Sequence, residues 1–351
     1  MPSSLIYKFS KVKYFMQKWT IHNKEYENQL KKAGYGIYNH SAVEICHWTK
    51  ESIINGRNCY KNKFYGVSTA GCMQITQAVV WCPNRCIYCW RTNSDFEPYI
   101  NILPENLVDS PEETLEKLRE LRKKLLIGFY GNPKANKELL NQIIDKPTHV
   151  TFSLSGEPLL YPFVPESIEY IKKNWKWTKS IFVVTSGQVP ESLEKMKNKN
   201  SLPTQLYISF TGPTKESYKE ISVPLYPDYW ERFLRSLEIA SKLKTRRVAR
   251  ITLIKGYNDK KEYFNAWKDL IDIYDPHFIE IKAFMLLGYS RMKLKSENMP
   301  SHEYVVKFSK ELEKHLENYK YMNEDSDSRI VVLKNIKEDI DPIIKSVEPN
   351  I

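Results

Sequence analysis

Six short apolar runs, separated mostly by longer amphipathic segments, set the tightest limit on what this chain can fold into. The runs are Ala78–Cys82, Val150–Leu154, Ile181–Thr185, Gln205–Phe210, Val248–Ile254 and Phe278–Leu286. They are rich in Val, Ile, Phe and Tyr, residues that suit a pleated, packed surface. Between them lie helical patterns at Pro111–Ile127, Pro133–Asp145, Pro165–Trp175, Pro190–Lys197, Asp228–Leu243 and Lys260–Tyr274, most opening with Pro or Asp. Strands that alternate with helices form a parallel sheet of βαβ units, each connection long enough to cross over. Six units are too few for a closed eight-stranded barrel. A further helix at Ser301–Tyr319 and an apolar run at Ile330–Leu333 follow, whereas the first forty residues are polar and aromatic with no clear period.

In parallel barrels chemistry gathers at the C-terminal ends of the strands. Here the first run leads into a cysteine loop, the second ends in Ser155–Gly156–Glu157–Pro158 and the third in Thr185–Ser186–Gly187. The fourth ends in Ser209–Phe210–Thr211–Gly212. The fifth carries Arg250 and Thr252, and the sixth carries Glu280 and Lys282 before Gly288–Tyr289–Ser290–Arg291.

All six cysteines fall between Cys46 and Cys89. Cys46, Cys59 and Cys72 are spaced with twelve residues between neighbours, and Cys82, Cys86 and Cys89 form Cys-x3-Cys-x2-Cys. Disulfides belong to oxidising compartments, and nothing in the N-terminal sequence marks this chain for export. Structural zinc prefers four ligands in paired knuckles, which two sets of three fit poorly, although His47 could supply a fourth. Three thiolates instead suit a 4Fe–4S cluster with one iron left open, since fully ligated electron-transfer clusters use four cysteines.

With Tyr88 just before its last cysteine, this loop resembles the radical SAM superfamily. That likeness implies a partial (β/α)6 TIM-like barrel, and a cluster on Cys82, Cys86 and Cys89 that binds S-adenosylmethionine (SAM). It also implies that Tyr88, Glu157, Thr185 and Ser186 contact SAM. Cys89–Trp90–Arg91, Leu202–Pro203–Thr204–Gln205–Leu206–Tyr207, Ile281–Lys282–Ala283–Phe284–Met285 and the upstream cysteine spacing are similar to the short archaeal members of the tRNA 4-demethylwyosine synthase family. Two strand ends depart from the usual pattern: Thr185–Ser186–Gly187 stands where Thr-Asn-Gly is common, and Thr211 stands where an aspartate is common.

The narrower resemblance implies a lyase acting on tRNA-Phe that bears N1-methylguanosine at position 37, with pyruvate as cosubstrate. It implies a second 4Fe–4S cluster on Cys46, Cys59 and Cys72. Lys61 becomes the first candidate to contact pyruvate, as a Schiff base or as a cation, with Lys63 the second. A net charge of +11 agrees with a polyanionic partner. Arg247, Arg250, Arg291 and Lys293 are candidate phosphate contacts, and Trp90 and Tyr289 candidate stacking platforms for an unpaired base. The expected layout is an extension with the second cluster at 1–76, a core barrel at 77–290 and a C-terminal extension at 291–351. No apolar run approaches the ~20 residues of a membrane span. The sequence thus reads as cytoplasmic, a monomer is expected, and the resemblance implies an external flavodoxin- or ferredoxin-type electron donor. A glycyl-radical activase and a non-enzymatic iron–sulfur RNA-binding protein are the alternatives; the first would not need the positive charge, the second would not need Glu157 and Thr185.

Overall fold

The structure is a computed structural model and describes residues 20, 24–91 and 102–349. In chain order its elements are α1 (Lys24–Lys32), β1 (Tyr35–Tyr38), β2 (Ser41–Glu44), α2 (His47–Asn55), α3 (Tyr60–Tyr65), β3 (Cys72–Thr76), α4 (Pro111–Ile127), α5 (Lys137–Ile143), β4 (His149–Phe152) and α6 (Val164–Asn174). There follow β5 (Ser180–Thr185), α7 (Pro190–Lys199), β6 (Gln205–Phe210), α8 (Lys215–Ser222), α9 (Tyr229–Ser241), β7 (Arg246–Leu253), α10 (Phe264–Tyr274), β8 (Phe278–Ala283), α11 (His302–His315), β9 (Tyr319–Asp325) and β10 (Ile330–Asn335).

The ten strands form one sheet in the order β1-β2-β3-β4-β5-β6-β7-β8-β10-β9. Strands β3 to β8 are parallel, giving the six-stranded partial barrel that the sequence pattern predicts. The β1–β2 hairpin continues it antiparallel on one side, and β10 and β9 continue it on the other. Helix starts follow local chemistry: Ser110 accepts from the Glu113 N–H ahead of Pro111, and Asn136 and Ser301 cap α5 and α11 in the same way.

One sequence expectation fails at the first strand. The run Ala78–Val79–Val80–Trp81 is fully buried but is not a strand; the pairing strand is β3, a few residues earlier. The reason is Gly156, which packs against this segment so tightly that a Cβ there would lie 1.9 Å from the Ala78 carbonyl oxygen and 2.6 Å from that of Trp81. Those residues are buried by a crossing turn rather than by a neighbouring strand.

Two of the apolar clusters frame the barrel. Helices pack on the outer face of the sheet, with Trp267, Phe233 and Ile168 fully buried there. Inside the barrel, Phe64 and Tyr65 of α3 pack against Phe182, Tyr207, Val248 and Phe278, from four successive strands. Below them runs the segment that contains Ile340 and Ile344. Arg246 ties that segment down through the Asp341 and Pro342 carbonyls, each at 2.7 Å. The barrel is therefore closed at the N-terminal ends of its strands.

Candidate active site

The segment between β3 and α4 carries Cys82, Cys86 and Cys89 over the opposite, open end. It is held as a short strand would be, without being one. The Arg85 N–H donates to the Ser222 and Val223 carbonyls at 3.0 Å and the Ile87 N–H to Ile221 at 2.9 Å, all at the end of α8. The Arg85 guanidinium closes the loop on the Cys82 carbonyl at 2.7 Å. Gly156, at φ +71°, lets the turn after β4 dock beneath, and the Glu157 N–H donates to Trp81 O at 2.8 Å.

The three thiols line a cavity of about 180 Å³ with Glu157, Thr185 and Ser186. Burial, and then the neighbouring thiol Cys89, push Cys86 up to about 12, and burial pushes Cys82 well up too. The three thiols share one cavity, as the ligands of a cluster with one open iron must, and binding would take them as thiolates. The donor set therefore fits a three-cysteine cluster.

Glu157 is fully enclosed, and burial raises its carboxyl against four stabilising donors. Its Oε1 accepts from the Thr185 hydroxyl at 2.7 Å and the Leu159 N–H at 3.2 Å. Its Oε2 accepts from the Ser186 N–H at 2.8 Å and the Ser186 hydroxyl at 2.6 Å. The structure thus joins Glu157, Thr185 and Ser186 into one polar unit on the cavity wall. Tyr88 lines the same cavity and is hydrogen-bonded to Cys86, and burial raises its phenol well above the usual range.

The upstream cysteines also converge, from three elements. Cys46 caps α2, Cys59 precedes α3 and Cys72 opens β3. Cys46 is lowered to about 6, chiefly by a hydrogen bond from Cys72 and further by the Thr49 hydroxyl and N–H. Cys72, the donor, is pushed well up, and burial raises Cys59. The donor set again fits a three-thiolate cluster.

Lys61 projects into the barrel interior beside this triplet. Its amine lies 4.9 Å from the centre of the Phe182 ring and 5.6 Å from that of Tyr207. Its charge acts on all three thiols and on His149. Lys63, two residues on, turns outward and donates to the Glu324 carbonyl at 2.6 Å.

Four basic or aromatic candidates meet at the open rim. Tyr289 N–H donates to Trp90 O at 3.0 Å, and both rings are about 40% exposed (Trp90 41%, Tyr289 39%). Arg291 is exposed, and Lys293 reaches the Arg85 carbonyl at 3.4 Å.

Two expected RNA contacts are corrected. Arg247 sits at the closed end, 6% exposed, donating to the Asp275 carbonyl at 2.8 and 3.0 Å. Arg250 points into the barrel, ion-paired with the fully buried Glu280, and donates to Tyr60 Oη at 2.6 Å. Both guanidiniums are spent on partners inside the fold, Arg247 on the Asp275 carbonyl and Arg250 on Glu280 and Tyr60.

Sequence reasoning placed Arg250, Glu280 and Lys282 at strand ends without joining them into an inner chamber, and it did not single out His149. Glu280 accepts from Tyr65 Oη at 2.7 Å and Tyr207 Oη at 3.1 Å. Arg250 and Lys61 share the Tyr207 ring, at 5.0 and 5.6 Å. His149 is kept neutral by burial; its Nδ1 meets Ser180 Oγ at 2.8 Å, and its Nε2 has no hydrogen-bond partner among the described residues. The signal available for Arg250, Glu280 and Lys282 was their position on strands whose alternate residues face inward.

Comparison with known proteins matches this geometry. The family description "Radical SAM superfamily" covers residues 77–265, and "Wyosine base formation" covers 273–335. The S-adenosyl-L-methionine-dependent tRNA 4-demethylwyosine synthase of Pyrococcus horikoshii is 42% identical over 93% of this chain and 92% of its own. That of Methanocaldococcus jannaschii is 38% identical over 89% of this chain and 96% of its own. The Arabidopsis thaliana relative is 36% identical, and the match covers 42% of its length. Among solved structures, TYW1 with a lysine–pyruvate adduct bound superposes with a TM-score of 0.80 at 35% identity, covering 92% of this chain and 99% of that one. Archaeal TYW1 gives 0.73 at 32% identity over the same shares. The chain belongs to the tRNA 4-demethylwyosine synthase family of radical SAM enzymes.

Proposed function

We propose that this enzyme builds the tricyclic base from N1-methylguanosine at position 37 of tRNA-Phe and pyruvate, with Lys61 holding the pyruvate. The carrying observation is the placement of the Lys61 amine inside the barrel, over Phe182 and Tyr207 and among Cys46, Cys59 and Cys72. The lysine–pyruvate adduct in the TYW1 structure supports the same reading.

Cys82, Cys86 and Cys89 would hold one 4Fe–4S cluster, and Cys46, Cys59 and Cys72 a second. When bound with SAM, the first would supply the radical chemistry, a 5′-deoxyadenosyl radical able to abstract hydrogen from the N1-methyl group. Glu157, fixed by Thr185 and Ser186, offers its carboxylate to the SAM amino group. The protein then has to place pyruvate and hold it. In its neutral form the Lys61 amine adds to the keto carbon and water leaves, giving an imine; in its charged form it pairs with the carboxylate. Phe182 and Tyr207 flank the amine on the chamber wall. Trp90, Tyr289, Arg291 and Lys293 form the RNA-facing rim. The chain works as a monomer in the cytoplasm, with the second cluster in 1–76, the core barrel in 77–290 and a C-terminal extension in 291–351. An external low-potential flavodoxin or ferredoxin delivers the electron. Among the described residues no helix is long and apolar enough to cross a membrane.

Lys61→Ala and Lys61→Arg test this reading. Both are expected to keep about eight irons, four per cluster, and to keep 5′-deoxyadenosine formation, while the alanine variant loses the tricyclic base. Borohydride reduction with labelled pyruvate should mark the wild type and neither variant. Substantial product from Lys61→Arg excludes an obligatory imine. Full activity in Lys61→Ala refutes the assignment.

A further inference from the structure

A second cavity, about 540 Å³, opens where the end of β8, the β9–β10 turn and the start of α2 meet. Its walls include Trp48, Arg57, Lys282, Met285, Leu287 and Asp327, and none of the three thiols of the SAM-side cavity. The volume falls in the ~300–1,000 Å³ range of small-ligand pockets. The lining is chemically mixed. Trp48 presents an indole with the Arg57 guanidinium over it at 5.6 Å. Met285 and Leu287 supply apolar surface, and Leu287 is 47% exposed. Two cations, Arg57 and Lys282, face one carboxylate, Asp327, which Arg57 engages at 2.7 Å.

Lys282 connects a wall of this cavity to the neighbourhood of Lys61. The Lys282 amine lies 5.7 Å from the centre of the Tyr60 ring, and Tyr60 is the residue before Lys61. Lys282 is also near enough to Cys59 for the thiol to act on its charge. The rim pocket of Trp90 and Tyr289 is a different space, about 260 Å³, lined instead by α1 residues such as Gln29 and Lys32. There the Arg91 guanidinium lies 4.1 Å from the Trp90 ring centre.

We infer that the larger cavity receives the target purine nucleotide of the RNA, unstacked from its neighbours, with Trp48 as its stacking platform. This rests on the function proposed above. Unpaired bases are read by stacking on aromatic and guanidinium planes, and Trp48 with Arg57 provides both. The Arg57 ion pairs, with Asp327 and with Glu51 at 3.3 Å, are solvent-exposed on the arginine side, so the guanidinium can shift to widen the stack at little cost. A base seated here lies on the side where Lys282 approaches Tyr60, the residue before Lys61. Trp90 and Tyr289 then serve the flanking strand rather than the reacting base.

The test uses anaerobically reconstituted protein and an RNA hairpin carrying 2-aminopurine at the target position, whose fluorescence falls on stacking. Wild type should quench the probe on binding, and Trp48→Phe should retain most of that quenching. Trp48→Ala should lose it and weaken hairpin binding by on the order of tenfold, within the range of one base–aromatic stack. Its KM for methylated RNA should rise while its KM for pyruvate, iron content and RNA-independent 5′-deoxyadenosine formation stay at wild-type values. Wild-type quenching in Trp48→Ala overturns the inference, as does a rise in the pyruvate KM alone. If wild type makes no tricyclic base, the proposed function fails whatever Trp48 does. If it does and Trp48→Ala still quenches, only the stacking role of Trp48 fails.

Discussion

Glu280→Gln is the most informative single change outside the cysteines. Its carboxylate is wholly buried, pairs with Arg250, and accepts from Tyr65 and Tyr207, whose phenols burial keeps neutral and therefore donating. Glutamine preserves the shape and an oxygen acceptor, so the change chiefly removes the charge. Breaking a buried pair from one side destabilises by roughly 3–5 kcal/mol, because the remaining ion is left uncompensated. Arg250 keeps 17% of its side chain open to solvent, which places the expected loss at the lower end, about 3 kcal/mol. With a urea m-value of about 3 kcal/mol/M or more for a chain of this length, the midpoint should fall by up to about 1 M. Unfolding of reconstituted protein, followed by tryptophan fluorescence, measures this. Adding Arg250→Met should recover more than half of the loss, since an apolar pair replaces the orphaned cation. A midpoint shift below about 0.3 M for Glu280→Gln, or no recovery on adding Arg250→Met, would refute the account of this pair.

Three further outcomes follow from other parts of the molecule. Gly156→Ala forces a Cβ to 1.9 Å from the Ala78 carbonyl at φ +71°, so iron should drop from about eight toward four and SAM cleavage should vanish, as read by iron assay and 5′-deoxyadenosine. Lys282 is lowered to about 8 from an ordinary 10.5, first by burial and then by Arg250. The folded state disfavours its charge, so wild-type stability should rise between pH 8 and 10.5. Lys282→Met should therefore raise Tm at pH 7 by an amount that shrinks across that window; a gap constant with pH would contradict this. Replacing Arg291 and Lys293 together should flatten the salt dependence of RNA binding by up to ~0.9 for each phosphate left unneutralised, whereas Arg247→Ala should lower Tm and leave that slope alone.

The barrel was largely legible because each βα unit repeats the same signals. Pro111 and Pro190 stand at helix starts in both sequence pattern and structure, and Gln205–Phe210 is a strand with the bounds its composition indicates. The region before β3 was not. Its helices α2 and α3 follow Cys46 and Cys59, which are not customary capping residues, and β1 and β2 have only four residues each. Arg247 and Arg250 misled for another reason. A parallel strand is covered on both faces, so charge on it does not say whether it points to the barrel lumen, to the helices or to solvent. Lys61 entered as a candidate through the family resemblance and the cysteine two positions before it, and its amine lies in the barrel interior over Phe182 and Tyr207. The second cavity was not, because Trp48, Lys282 and Asp327 lie far apart in the chain and carry no shared motif.

The stopper formed by α3 and the Ile340–Ile344 segment has a kinetic consequence. The lower end is filled by Phe64, Tyr65, Phe182 and Phe278, so on the proposed assignment of Lys61 a keto acid would enter from the open mouth, the side on which the RNA would sit. A tRNA seated over that mouth would lie across the route. Productive turnover then requires the small substrate to load first, and a macromolecule that arrives early forms a dead-end complex. Initial rates should be inhibited by excess tRNA when pyruvate is scarce, and that inhibition should fade as pyruvate is raised.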